Sequence, residues 1–382
     1  MPSISYIKRK IGRSWLVWFQ NSNSYLQMEE PAWFVFHKIT KRYKTATIAA
    51  VFSLRYGVTQ EEGLNFVTDI RTETQRLNQP GQSESKFKID SEVPENHYFP
   101  PYSVHHYRLG DRLITFSFET PDLELYLHPL LLHLKTTESN DETTLFELFT
   151  FNEQVVFRFN SEVKGAWSYD ESHLVKGLIF MFLVNVIYNK TDSDWLMTVH
   201  ASALTNGKKT ILFSAPAGHG KTTIAALLRS KGYRLISDDF VPIEKHSFKA
   251  HPFPIAMSVK QGAMELISPL FPELEHKELN YISPEKSVRY LAPDTNASIF
   301  GAVFPVHEIV FVRYDNAVAF KFEKLDPVNG VKLLLDQAWV VPSPENAATV
   351  FEWITRLSFY QLTYSDNEKG IKAITNLFNH EQ

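Results

Sequence analysis

Thr210-Ile211-Leu212-Phe213-Ser214-Ala215-Pro216-Ala217-Gly218-His219-Gly220-Lys221-Thr222-Thr223-Ile224 decides how this 382-residue chain is read. Thr210 to Phe213 is a short run of β-forming residues, and Ile224, Leu227 and Leu228 recur at helical spacing after the glycines. Strand, glycine-containing loop and helix stand in the order a phosphate-binding loop requires. Such a loop wraps phosphate oxygens with backbone N–H groups, and the helix start adds partial positive charge. Ala217, Gly218, His219, Gly220, Lys221, Thr222 and Thr223 are then the cradle, with the Lys221 ammonium on the outer phosphates of ATP and the Thr222 hydroxyl on Mg²⁺. Ala215 stands where the G-x-x-x-x-G-K-T pattern has its first glycine, which matters only if that position needs a positive φ.

Downstream, Tyr233 to Ser237 reads as a further strand that delivers Asp238 and Asp239 to its C-terminal end, where open α/β sheets bind ligands. One carboxylate beside Mg²⁺ and one beside an incoming hydroxyl would serve metal binding and proton removal. Upstream, His200 ends a strand in Val199-His200-Ala201-Ser202-Ala203; read alone, it is a structural hydrogen-bonder.

Working outward, the composition is that of a packed protein: 44% hydrophobic, 21% charged and 14% aromatic residues. The absence of cysteine excludes disulfides and thiolate metal sites and agrees with a reducing compartment. Lys8, Arg9 and Lys10 are followed by no long apolar run, so no secretory signal is read. The apolar stretch Gly177 to Tyr188, at 12 residues, is too short to span a bilayer and is expected as a buried helix. A cytoplasmic protein without membrane partners is the expectation. The net charge of -4 hides an asymmetry: residues 1 to 80 carry eleven Lys and Arg against six acids, and the remainder 28 against 37. A basic front end joined to an acidic body suggests an acidic partner for the front.

The front module predicts a hairpin, Trp15 to Phe19 and Ser24 to Met28 around a polar turn, then three helices: one opened by Pro31, one running from Thr45 to Gly57, and one started by a Thr59–Glu62 capping box with Val67, Ile70, Thr74 and Leu77 on one face. Residues 81–101 read as a linker, which leaves domains at 1–80 and 102–382. Strands are expected at Leu113 to Phe118, Leu123 to Leu127, Leu145 to Phe151, Gln154 to Phe159, Leu196 to Val199 and Phe359 to Tyr364, with a mostly helical tail from Pro327. His105 with His106, and His246 with His251, read as structural rather than zinc-binding, and Trp339, Phe351, Trp353 and Phe359 as core.

Taken together, His200-Ala201-Ser202-Ala203-Leu204, Ala217 to Thr223 and Gly232 to Asp239 resemble the HPr kinase/phosphorylase catalytic domain, specifically over about 45 residues and more loosely over roughly 105 to 375. The resemblance implies an α/β P-loop domain with a mixed sheet. It also implies Asp238 as base toward a serine hydroxyl, His200 supporting it, and Thr222 and Asp239 on Mg²⁺. The glycine-rich signature those kinases carry after the Asp pair is not evident; Pro252-Phe253-Pro254 to Lys260 stands there instead, similar to HPr-kinase-related proteins of peptide-modification systems. Lys260 and Arg289 become candidate phosphate contacts. The front module, with Arg55-Tyr56-Gly57-Val58 before its capped helix, is similar to the PqqD-like peptide-recognition domain, a small α+β winged-helix-like fold that holds a leader peptide by strand addition. An unrelated basic winged helix touching nucleic acid is its rival, with nucleic acid the less expected partner. The implied activity is phosphorylation of a Ser hydroxyl on a peptide or small protein, possible homo-oligomerisation included. A nucleotide-binding but non-catalytic peptide chaperone is the alternative.

Overall fold

The computed structural model describes residues 4–79, 93–94, 96–139, 144–283, 286–293 and 300–379; most of the expected linker, 81–92 and 95, lies outside them. The chain is mixed α/β and divides into two units, one of residues Met1–Phe87 with Asp326–Asp336 and Val340–Leu357, the other of Lys88–Leu325 with Gln337–Trp339 and Ser358–Gln382. No helix is long and apolar enough to cross a membrane among the described residues.

In the first unit the hairpin forms as its alternation dictates, Ser14–Phe19 against Ser24–Met28, with Trp18 opposite Tyr25. A strand the sequence did not announce, Tyr6–Ile11, adds to its other edge. The helices are Glu30–Thr40, Thr45–Tyr56 and Gln60–Leu77. Gly57 ends the second at φ 68°, which is why a glycine stands there. The third has its full capping box, Thr59 Oγ1 accepting from Glu62 N–H at 3.2 Å and Glu62 Oε2 accepting from Thr59 N–H at 2.8 Å. Strand alternation gives the sheet two apolar faces. Val17, Phe19 and Met28 pack on Phe36 and Leu77 of the module's own helices. Leu16 and Trp18 point the other way and are also buried.

The second face explains why tail helices belong here. Helix Pro344–Ile354 lies against strand Tyr6–Ile11, Phe351 meets the Tyr25 ring edge-on at 5.9 Å, and Asn23 Nδ2 donates to the Val340 carbonyl at 3.4 Å. The division at 102–382 expected from sequence therefore differs from the observed one, because a linear boundary assigns residues 326–336 and 340–357 to the body, while 358–382 stay with it. Phe351 and Trp353 are core, as read.

The second unit holds a mixed sheet in the order Arg234–Ser237, Ala201–Thr205, Thr210–Ser214, Phe304–Tyr314, Lys249–Ala250, Val241–Glu244, Trp195–Val199, with Ser358–Tyr364 parallel to the second half of Phe304–Tyr314 and Phe320–Lys324 beyond it. A second sheet runs Lys135–Thr136, Ser103–Leu109, Arg112–Phe118, Thr144–Phe151, Gln154–Phe159, Glu162–Ser168, and a third Met257–Lys260, Lys286–Leu291, Asn280–Ser283. Helix Ser172–Tyr188 is apolar all round and feeds the core beside the second sheet. The expected strand at Leu123 to Leu127 is instead part of helix Pro121–Leu131. Thr120 caps it, accepting from Leu123 N–H at 3.3 Å, Pro121 pre-sets the first turn, and Leu123, Leu127, Leu130 and Leu131 fall on one buried helical face. β propensity lost to capping and period.

A fragment ending at residue 80 is expected to lack a cooperative unfolding transition, since Leu16 and Trp18 lose their cover; in the full chain Phe351→Ala should cost about 3–5 kcal/mol by chemical denaturation. A cooperatively folded 1–80 fragment would contradict the shared core.

Candidate functional site

Sheet direction brings three separated stretches to one edge. Ala201–Thr205 runs antiparallel to both Thr210–Ser214 and Arg234–Ser237, pairing Ala201 with Ser214 and Ala203 with Ser237. The residue before the first strand and the residues after the other two must therefore meet. Those are His200, the loop from Ala215, and Asp238 with Asp239.

The loop is set by its glycines. Gly218 and Gly220 both have φ of 89°, and Gly220 is the N-cap of helix Lys221–Arg229, whose first amides are left for a ligand. A Cβ at Gly220 would sit 3.0 Å from the Tyr314 Cβ and 3.3 Å from the Tyr364 hydroxyl oxygen, so space as well as φ demands glycine. Tyr314 N–H donates to the His219 carbonyl at 3.0 Å and ties the loop to the neighbouring strand. Ala215 is buried and does not adopt a positive φ, so the missing first glycine costs the loop nothing. Ala217, Gly218 and His219 are exposed and Thr222 and Thr223 half-buried.

Lys221 is 6% exposed, and a buried ammonium needs partners. It has two: the Asp239 Oδ1, to which it donates a very short bond, and His200 Nε2 at 3.2 Å. Since Nε2 accepts, the His200 proton resides on Nδ1, which lies 3.2 Å from the Asp239 carbonyl oxygen and 3.3 Å from its carboxylate. Burial, then the Lys221 charge, push His200 below its ordinary value against the pull of Asp239, which keeps the imidazole neutral. Asp239 itself sits at φ 68°, an unusual conformation for a non-glycine, with its carboxylate on Lys221. Desolvation alone would raise its carboxyl, but Lys221, His200 and Lys176 hold it well below the usual carboxylate range.

Asp238 is the opposite case. It is 2% exposed, accepts a short bond from Ser202 Oγ, and its Oδ2 lies 3.4 Å from Thr222 Oγ1. Burial pushes its carboxyl up; Lys221 opposes this and Asp239 adds to it. The expected pairings are thus exchanged. The resemblance pairs His200 with Asp238 and Thr222 with Asp239, whereas His200 touches Asp239 and Thr222 faces Asp238. A hydroxyl and a carboxylate oxygen 3.4 Å apart at the start of the helix are hard donors that fit Mg²⁺. The glycine cradle fits phosphate.

Lys260 Nζ would be 3.9 Å from a Cβ at Gly218, which places this lysine at the loop. Arg289 pairs with Val259 and shares its face, toward the core around the phosphate-loop helix; its Nε is buried without a hydrogen-bond partner among the described residues, a donor an anion would satisfy. Sequence reasoning gave no role to Ser202 or Lys176. Ser202 was legible as the residue two beyond His200, on the same side of an extended chain. Lys176 lies on a helix called only apolar, and nothing in its neighbourhood marks it.

The sign of the Asp238 shift makes a prediction. A carboxyl raised in the folded state favours folding below its unfolded value and loses that contribution as pH rises through the folded value. Asp238→Asn should therefore gain stability relative to the native chain as pH rises above the ordinary carboxylate range, read as a growing difference in Tm. A constant difference would show that the Asp238 carboxyl is not raised in the folded chain.

No protein-family model matches the chain. No curated protein matches it. Among solved structures it is similar to the Hpr(Ser) kinase/phosphatase from Coxiella burnetii, at 12% identity and a TM-score of 0.21, over 47% of this chain and 89% of that one.

Proposed function

We propose that the chain is an ATP- and Mg²⁺-dependent phosphotransferase that phosphorylates a Ser hydroxyl of a peptide or small protein. The observation that carries this reading is the meeting of Lys221, His200, Asp238 and Asp239 at the mouth of a glycine loop. The likeness of these three stretches to the HPr kinase/phosphorylase motifs supports it. Bound Mg²⁺-ATP supplies the γ-phosphoryl group and neutralises charge during its transfer.

The chain's own residues do the rest by positioning and electrostatics. Thr222 Oγ1 and Asp238 Oδ2 would hold the metal, and Ser202, donating to Asp238, fixes that carboxylate. Lys221, freed from Asp239 by a stronger anion, moves its ammonium to the phosphates. Asp239 then loses the partner that most depresses its carboxyl, becomes more basic, and accepts the proton of the incoming hydroxyl. His200 keeps Asp239 oriented through Nδ1–H. This reading puts the base at the half-exposed Asp239, where the resemblance implies Asp238.

For the front module we propose peptide recognition of the PqqD-like kind. The exposed run Lys8, Arg9 and Lys10 on strand Tyr6–Ile11 supports an acidic segment as its ligand.

With Mg²⁺-ATP and candidate precursor peptides, the native chain should add the mass of one phosphoryl group. Lys221→Ala and Asp239→Asn should slow this by about 10²–10⁴-fold while circular dichroism is unchanged. Full transfer by Lys221→Ala would overturn the assignment; nucleotide binding with every peptide unmodified would favour a non-catalytic partner instead.

A further inference from the structure

Away from the nucleotide site, the second sheet carries a cluster of metal-ligating side chains that the phosphotransferase reading does not use. His105 lies on strand Ser103–Leu109, and Glu124 and His128 lie one turn apart on helix Pro121–Leu131, the segment whose helical state the sequence concealed. One ligand atom from each of the three lies within 4.8 Å of those of the other two. His105 Nε2 meets Glu124 Oε1 at very short range, with side-chain exposures of 13% and 18%, so the group is recessed but reachable from solvent. His128 Nδ1 is engaged by the Tyr107 hydroxyl at 2.5 Å, which leaves Nε2 as its nitrogen for an ion.

We infer that His105, Glu124 and His128 form a binding site for a divalent transition-metal ion, with Zn²⁺ as the ligand whose chemistry fits. Two imidazoles and one carboxylate are a donor set of borderline softness that suits Zn²⁺ far better than Mg²⁺ or Ca²⁺, and three protein ligands leave a fourth position for water. The Tyr107 contact has the form of the outer-shell bond that fixes a ligating histidine: with Nε2 on the metal, Nδ1–H donates to the Tyr107 oxygen. The imidazole rings of His105 and His128 now stack at 4.0 Å and 18°. Ion binding must tilt them apart and replace the His105–Glu124 hydrogen bond by two metal bonds, so the ion would pin helix to strand.

Tag-free full-length chain, stripped with a chelator and titrated with Co²⁺, tests the site. One equivalent should bind with the visible absorption of a low-symmetry four-coordinate ion, Zn²⁺ should displace it, and Zn²⁺ should raise Tm. His105→Ala or His128→Gln should abolish the spectrum with circular dichroism intact, Tyr107→Phe should weaken binding about 10–100-fold, and Lys221→Ala should bind Co²⁺ like the native chain. No spectrum in the native chain, or a spectrum undiminished in His105→Ala/His128→Gln, would overturn the proposal.

Discussion

The Lys221 ammonium is nearly withdrawn from solvent at the start of a helix, where the backbone already carries positive partial charge. Such a cation persists only if opposite charge is brought to it. Asp239 brings that charge, His200 Nε2 accepts a further N–H, and the rest of the second unit arranges this meeting. Three strands deliver the partners to one sheet edge, and the left-handed turn at Asp239 aims the carboxylate. The pair is poised for exchange, since its acid is half open to solvent and a triphosphate offers more negative charge than one carboxylate.

The two adjacent acids show how environment separates identical side chains. Asp238 is buried against Ser202 and pushed up, while Asp239 is held down chiefly by Lys221, with His200 and Lys176 adding to it. One turn thus carries a carboxyl favoured in its neutral form beside one held ionised.

Much of this was legible in the residues. The glycine loop, its strand and helix, and the capped front helices rest on local rules that tertiary packing did not override. Which carboxylate faces which partner was not legible, because it turns on the single φ of Asp239. Leu123 to Leu127 reads equally as strand or helix until Thr120 and Pro121 are given weight. The central strand Phe304–Tyr314 was missed although His307 to Val312 is strongly β-forming, and helices Pro327–Leu335 and Pro344–Ile354 fall in the other unit because sequence order says nothing of which apolar faces meet.

The most direct measurement is a crystal structure with Mg²⁺ and a non-hydrolysable ATP analogue. The account predicts Lys221 Nζ on the outer phosphates and parted from Asp239, the metal between Thr222 Oγ1 and Asp238, and an Asp239 carboxylate facing the γ-phosphoryl group. A nucleotide bound elsewhere, or an unbroken Lys221–Asp239 pair beneath a bound nucleotide, would contradict it.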